Sequence, residues 1–354
     1  MPVPPVRGPA PAAGPARLVD RAPEIRPGAL VASLAPPPRF DEVRFETYVP
    51  DPAQPSQAAA VAALREFAAY VGREPPKRGL FRRPAPAPPP GMYLDGGYGV
   101  GKTHLLASLW HAVPGPKAYC TFAELTNLTG ALGFAETVEA LSGHTLLAID
   151  EFELDDVGDT VLISTLLRRL VEAGVRLAAT SNTLPGRLGQ GRFAAEDFLR
   201  EIQGLAAHFT VLRVEGEDYR HRGLPPAPPP VADQELAARA AATPGAALDD
   251  FGALVEHLAS LHPVRYGALL DGVTLACLRG VEPVRDQATA LRLVVLADRL
   301  YDRDVPVLAS GVPFDRLFPD EMLNGGYRKK YLRAVSRLVA LTREGEGLAG
   351  RGEG

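Results

Sequence analysis

The chain has 354 residues, among them 35 Gly and 35 Pro, so about a fifth of its positions punctuate the backbone against roughly an eighth in an average protein. A hydrophobic share of 46% excludes a wholly disordered chain, and a net charge of −4 gives no long-range pull toward nucleic acid or anionic lipid. Constitutive nucleic-acid binding is therefore not expected. Cys120 and Cys277 each stand alone without a partner at metal-ligand spacing, which excludes a disulfide framework and a zinc site and suits a reducing cytoplasm. No apolar run approaches the roughly 18 residues that a membrane span needs. Only five lysines occur beside 33 arginines, so an Arg is a weak sign of function and a Lys a stronger one.

In chain order, residues 1–44 open with eleven Pro in the first 38 positions, a composition that predicts an extended, mobile tail outside the fold. A segment over 45–90 follows. In it Ala60, Val61, Leu64, Phe67 and Ala68 fall at helical intervals after a Pro55-Ser56 start, and the stretch from Arg82 to Pro90 is a stiff connector. A core over 91–223 then alternates strand-like runs (Gly91 to Leu94, Thr145 to Ile149, Val175 to Ala179, Phe209 to Val214) with helices such as Asp159 to Ala173, where Leu162, Leu166 and Leu170 share a face and Gly174 caps the end. This alternation predicts an α/β fold with a parallel sheet flanked by helices. A Pro/Ala-rich linker spans 224–243. The part over 244–345 reads as mostly helical with one extra βαβ unit, from Gly272–Leu278 through the helix Val284–Tyr301 to Val305–Ala309, and a closing helix Tyr331–Thr342; residues 346–354 read as a flexible tail.

The chemistry concentrates in Gly96-Gly97-Tyr98-Gly99-Val100-Gly101-Lys102-Thr103, the phosphate-loop pattern set between a strand and a helix. Glycine lets backbone amides turn inward toward oxygen anions, the helix starting near Gly101 adds its positive end, Lys102 reaches the outer phosphates and Thr103 offers a hydroxyl to Mg²⁺. His104 follows on the first turn of that helix and is counted with the nucleotide-binding residues, though a place on the helix face explains it as well. Next, Leu146-Leu147-Ala148-Ile149-Asp150-Glu151 is an apolar strand ending in two carboxylates. Asp150 is placed to hold Mg²⁺ beside Thr103 and Glu151 to polarise a water toward the terminal phosphate, which favours hydrolysis over transfer to another acceptor. A third strand ends in Thr180-Ser181-Asn182, giving a neutral amide to hold the attacking water, or else a simple turn residue. No Asn-Lys-x-Asp run is present to read guanine, which argues for ATP.

The runs Pro90 to Leu106, Asp150-Glu151-Phe152 with Asp155-Asp156, Gly174 to Pro185, Leu300 to Ser310 and Arg333 to Leu338 resemble the ZapE family of cell-division ATPases, related to a mitochondrial inner-membrane ATPase of the AAA+ superfamily. The resemblance implies a P-loop NTPase fold of AAA+ type, a homo-oligomer, action on the division-ring protein FtsZ, and a place in the cytoplasm or peripherally at the inner membrane. It also implies an arginine supplied across a subunit boundary, for which Arg192 and Arg200 are the candidates, and an arginine from the C-terminal lid, for which Arg337 stands ahead of Arg333. In an Arg-rich chain each has an ordinary surface reading of equal weight. Tyr48 and Gln57, ahead of the core, are candidates to line the adenine pocket. A helicase-loader-like ATPase acting with single-stranded DNA is the alternative, and a chain lacking an aromatic-basic stripe disfavours it.

Overall fold

The computed structural model describes residues 15–24, 27–72, 91–97, 99–153, 157–184, 203–204, 206–216 and 226–349. It forms two units, Ile25–Pro225 and a second made of Met1–Glu24 together with Pro226–Gly354.

The first unit contains α1 (Pro27–Ala32), α2 (Pro55–Val71), β1 (Gly91–Gly96), α3 (Lys102–Ala112), β2 (Lys117–Thr121), α4 (Phe122–Leu132), α5 (Phe134–Ser142), β3 (Leu146–Asp150), α6 (Val157–Glu172), β4 (Arg176–Ser181) and β5 (Phe209–Val214). Its strands lie in the order β2-β3-β4-β1-β5, every pairing parallel. A parallel sheet needs both faces covered, so its inner strands must be apolar throughout. Leu146, Leu147, Ala148 and Ile149 of β3 meet that demand and are all buried. On α2 the residues Ala60, Leu64, Phe67 and Ala68 pack with Leu105, Leu106 and Leu109 of α3 in one apolar cluster. The buried stripe of α6 is Ile163, Leu166, Leu167 and Leu170. Leu162 is only half-buried, so the face is rotated by one residue from the expected one. Gly174 ends this helix region with φ +97°.

The second unit contains α7 (Asp233–Ala242), β6 (Ala246–Asp250), α8 (Phe251–Ser260), β7 (Leu275–Val281), α9 (Gln287–Asp302), β8 (Val307–Gly311) and α10 (Arg328–Ala349). Its three strands run parallel in the order β6-β7-β8. The expected single βαβ unit is therefore two: β6 adds a strand in a stretch where Ala-Ala-Leu-Asp-Asp carries no β-branched residue to announce it. Helix α7 occupies half of the expected linker because Leu236 and Ala240 are buried against the sheet, and α10 extends to Ala349, past the expected start of the tail at residue 346.

The N-terminal expectation also changes. Leu18 is 1% exposed and belongs to the main core of the second unit. Ala16 bridges in parallel to Ala247, and Asp249 accepts from the backbone N–H of Leu18 (2.9 Å) and Val19 (3.1 Å). Burial raises the Asp249 pKa, with the two backbone donors pulling the other way. Farther along, Leu30 and Leu34 are buried in the first unit, and the Leu34 carbonyl accepts from the Tyr119 N–H at 2.9 Å. Sequence composition saw the prolines; the buried leucines between them decide the outcome.

Candidate functional site

The site forms where strands of the first sheet end. β1 lies between β4 and β5, and the chain leaves β1 through the glycine loop into α3, so the loop opens at the carboxyl edge of a parallel sheet, the usual ligand crevice of such folds. Two glycines there are sterically required. A Cβ on Gly96 would lie 2.1 Å from the Val214 carbonyl oxygen, and Gly101, the residue before α3, has φ +87° with the Tyr48 ring 2.5 Å from where its Cβ would stand. The first intrahelical bond of α3 runs from the Leu105 N–H to the Gly101 carbonyl, which leaves the preceding amides at the positive end of the helix as donors for an anion.

Lys102, the first residue of α3, is buried. Its ammonium donates to the Gly96 carbonyl at 2.9 Å, to the Gly97 carbonyl, and to Asn182 Oδ1 at 2.9 Å. Thr103 Oγ1 donates to Asp150 Oδ1 at 3.2 Å. The Asp150 carboxylate also accepts from the Tyr119 hydroxyl at 3.1 Å and from the Thr180 hydroxyl. Among the described residues this buried carboxylate is thus partnered by hydroxyls alone, which satisfy its lone pairs without cancelling its charge. A hard divalent cation takes oxygen ligands of this kind, so Thr103 and Asp150 fit Mg²⁺.

Glu151 follows with φ +53°, one of two non-glycine residues at positive φ among those described. Such a backbone persists only where its surroundings hold it. Here the Glu151 N–H donates to Thr180 Oγ1 at 3.0 Å and the Phe152 N–H to the Thr180 carbonyl at 2.7 Å. The Phe152 ring, fully buried, packs edge-on to Phe122, Tyr93 and Phe209. Asp-Glu-Phe therefore works as two acids on a hydrophobic peg.

A cleft of about 420 Å³ adjoins the loop, lined by Gln54, Gly96, Gly97 and the stretch from Arg213 to Gly216. Gln57 braces this wall: its amide donates to the Glu215 carbonyl and accepts from the Asp51 N–H, each at 2.8 Å. Tyr48 donates its hydroxyl to the Val100 carbonyl at 2.9 Å. Both candidate pocket residues thus buttress the loop and the cleft wall. Nearby Asp95, at the end of β1, is buried, and that burial raises its pKa against the opposing pull of Arg213 and Lys102.

The structure brings together Gly96, Gly97, Gly101, Lys102, Thr103, Asp150 and Asn182 through the contacts above, with Glu151 adjoining Asp150; Gly99 and Val100 lie within the same loop. His104 Nε2 faces Thr47 Oγ1 at 3.0 Å and the Arg44 carbonyl at 3.2 Å, so its side chain engages the segment before the core. Arg337 belongs to the second unit, where its guanidinium donates to Asp298 and lies 5.0 Å over the Tyr301 ring. Arg333 donates to the same carboxylate at 2.7 Å. Tyr98, Arg192 and Arg200 lie outside the described residues. Sequence reading passed over Tyr119, Thr180 and Glu153. A hydroxyl on a strand carries no spacing signal, whereas the position of Glu153 two residues after Glu151 was visible.

The family model for AFG1-like ATPases matches residues 26–232 and 228–347, so the chain belongs to the AFG1-like ATPase family. The cell division protein ZapE of Escherichia coli K12 is 32% identical over 146 residues, which cover 38% of this chain and 39% of ZapE. An uncharacterized protein of Schizosaccharomyces pombe is 28% identical over 155 residues, covering 39% and 34% respectively. The chain thus spans less than half the length of these relatives. Among solved structures, domain III of the Thermotoga maritima replication initiation protein DnaA aligns with 58% of this chain and 81% of its own at 20% identity, with a TM-score of 0.39. Among the described residues no helix is long and apolar enough to cross a membrane.

Proposed function

We propose that the protein binds ATP at the glycine loop and hydrolyses it with Mg²⁺ held by Thr103 and Asp150. The observation that carries this reading is the joining of Lys102 Nζ to Asn182 Oδ1 at 2.9 Å while the adjacent Thr103 reaches Asp150 at 3.2 Å. Phosphate grip, metal pair and amide thereby share one cluster. Held by Thr103 and Asp150, Mg²⁺ would supply positive charge to offset the charge developing on the phosphate oxygens. Lys102 and the amides at the start of α3 bind and orient the phosphates. Asn182 holds the attacking water, and Glu151 accepts its proton at a carboxylate oxygen.

By likeness to a cell-division ATPase, the energy released is coupled to remodelling a protein partner, with FtsZ the first to test, in a homo-oligomer to which Arg192 or Arg200 supplies charge across a subunit boundary. For the site, nucleotide affinity and turnover of two variants decide. Lys102→Ala loses nucleotide binding, whereas Glu151→Gln keeps it and loses about 10²–10⁴ in turnover; turnover at the wild-type rate in either variant overturns the assignment. For the partner, ATP-dependent co-sedimentation with FtsZ filaments supports the reading, and absence of binding with and without ATP removes it.

A further inference from the structure

We infer that Glu153 is a positioning residue for ATP hydrolysis, holding the turn that presents the Asn182 amide; the inference rests on the role proposed above for Asn182. Ser181 Oγ and the Asn182 N–H both donate to Glu153 Oε1 at 3.2 Å, and Thr183 Oγ1 donates to Oε2 at 3.3 Å. One carboxylate therefore gathers three consecutive residues. The need for it follows from the sheet: β4 ends at Ser181, whose opposite number on β1 is Asp95, so Asn182 lies beyond the ladder. Among the described residues, the recorded partner of the Asn182 N–H is Glu153.

The same short stretch that carries Asp150 and Glu151 thus reaches across to the end of the neighbouring strand. The Asn182 side chain in turn accepts from Lys102. Displacing the turn shifts the amide relative to both the acid pair and the loop lysine. The fold does not depend on this contact. The Tyr93 hydroxyl donates to the Thr183 carbonyl at 2.7 Å, the Thr183 N–H donates to Ser181 Oγ at 3.0 Å, and Ser181 is buried in the sheet. Loss of Glu153 leaves the turn present and the amide loosely aimed, and an error of about 1 Å at such a group costs on the order of 10²-fold in rate.

The test compares Glu153→Ala, Glu153→Asp, Glu153→Gln, Asn182→Ala and the double variant in the full chain, reading kcat, the affinity for a fluorescent ATP analogue, and the melting midpoint. Glu153→Ala is expected to lower kcat by about 10–100-fold with analogue affinity changed by less than about threefold. Glu153→Gln keeps a carbonyl oxygen for the two donors that share Oε1 and returns kcat to within about threefold of wild type, whereas Glu153→Asp, which retracts the carboxylate, loses about tenfold. Adding Glu153→Ala to Asn182→Ala costs nothing further. Wild-type kcat in Glu153→Asp, or full multiplication of the two single losses, overturns the inference, and the aspartate variant decides should the alanine variant not fold. If Asn182→Ala itself turns over normally, the proposed role of Asn182 falls and this inference falls with it.

Discussion

Two carboxylates, Asp150 buried in the first unit and Asp298 about one-fifth exposed in the second, stand on parallel α/β scaffolds and meet opposite company. Asp150 in the first unit accepts from three hydroxyls, those of Thr103, Tyr119 and Thr180. Asp298 in the second accepts from two guanidiniums, those of Arg333 and Arg337. Neutral donors anchor a carboxylate and leave its charge for something else to use; cations consume that charge in holding the protein together. The fold is similar and the purpose is not, so a site is recognised by what surrounds its charges.

Substituting each acid in turn sharpens the contrast. Asp150→Asn keeps the shape and removes the charge: turnover should fall by about 10³ or more, as expected for losing a metal ligand, while the melting midpoint stays near wild type. Asp298→Ala should act the other way, lowering stability by about 3 kcal/mol because two largely buried guanidiniums lose their counter-ion, seen as a lower midpoint in urea unfolding. If Asp298→Ala melts like wild type, the comparison breaks.

Acid gives a gentler version of the same experiment. Burial alone would raise the Asp298 pKa, but the guanidiniums of Arg333 and Arg337 outweigh it and hold it below the ordinary carboxylate value. A lowered folded-state pKa contributes stability that is complete above the unfolded value of about 3.9 and is lost as pH falls through the folded one. The stability gap between wild type and Asp298→Asn should therefore stay constant from pH 7 to about pH 5 and narrow below pH 4. A gap that widens on acidification contradicts the assignment. The smallest effect concerns α4, whose capping box joins the Thr121 hydroxyl to the Glu124 N–H and the Glu124 carboxylate to the Thr121 N–H. Thr121→Ala should cost about 1 kcal/mol without changing nucleotide affinity.

What the sequence showed and what it hid follow from the range of the interactions. The α/β alternation was legible because apolar runs and helical periods are local, and α2 and β5 fall where their patterns put them. The loop from Gly96 to Thr103 was legible because a glycine pattern states a backbone demand directly. Strand β6 escaped because Ala246-Ala247-Leu248-Asp249-Asp250 becomes a strand only against β7, a tertiary choice that overrides propensity. The supports of Asp150 escaped for a similar reason: Tyr119 and Thr180 are ordinary strand residues until parallel pairing brings β2, β3 and β4 together.

The pairing of Leu18 with Asp249 also has a consequence in time. Leu18 binds Asp249, a residue 231 positions later in the chain. At the usual 5–20 residues per second the ribosome takes on the order of ten to forty seconds to produce that acceptor. During this interval Leu18 has left the exit tunnel with nothing of its own unit to bury it, while the whole of the first unit is translated in between. Its many proline neighbours, poor partners for helix or sheet, suit a segment that must wait.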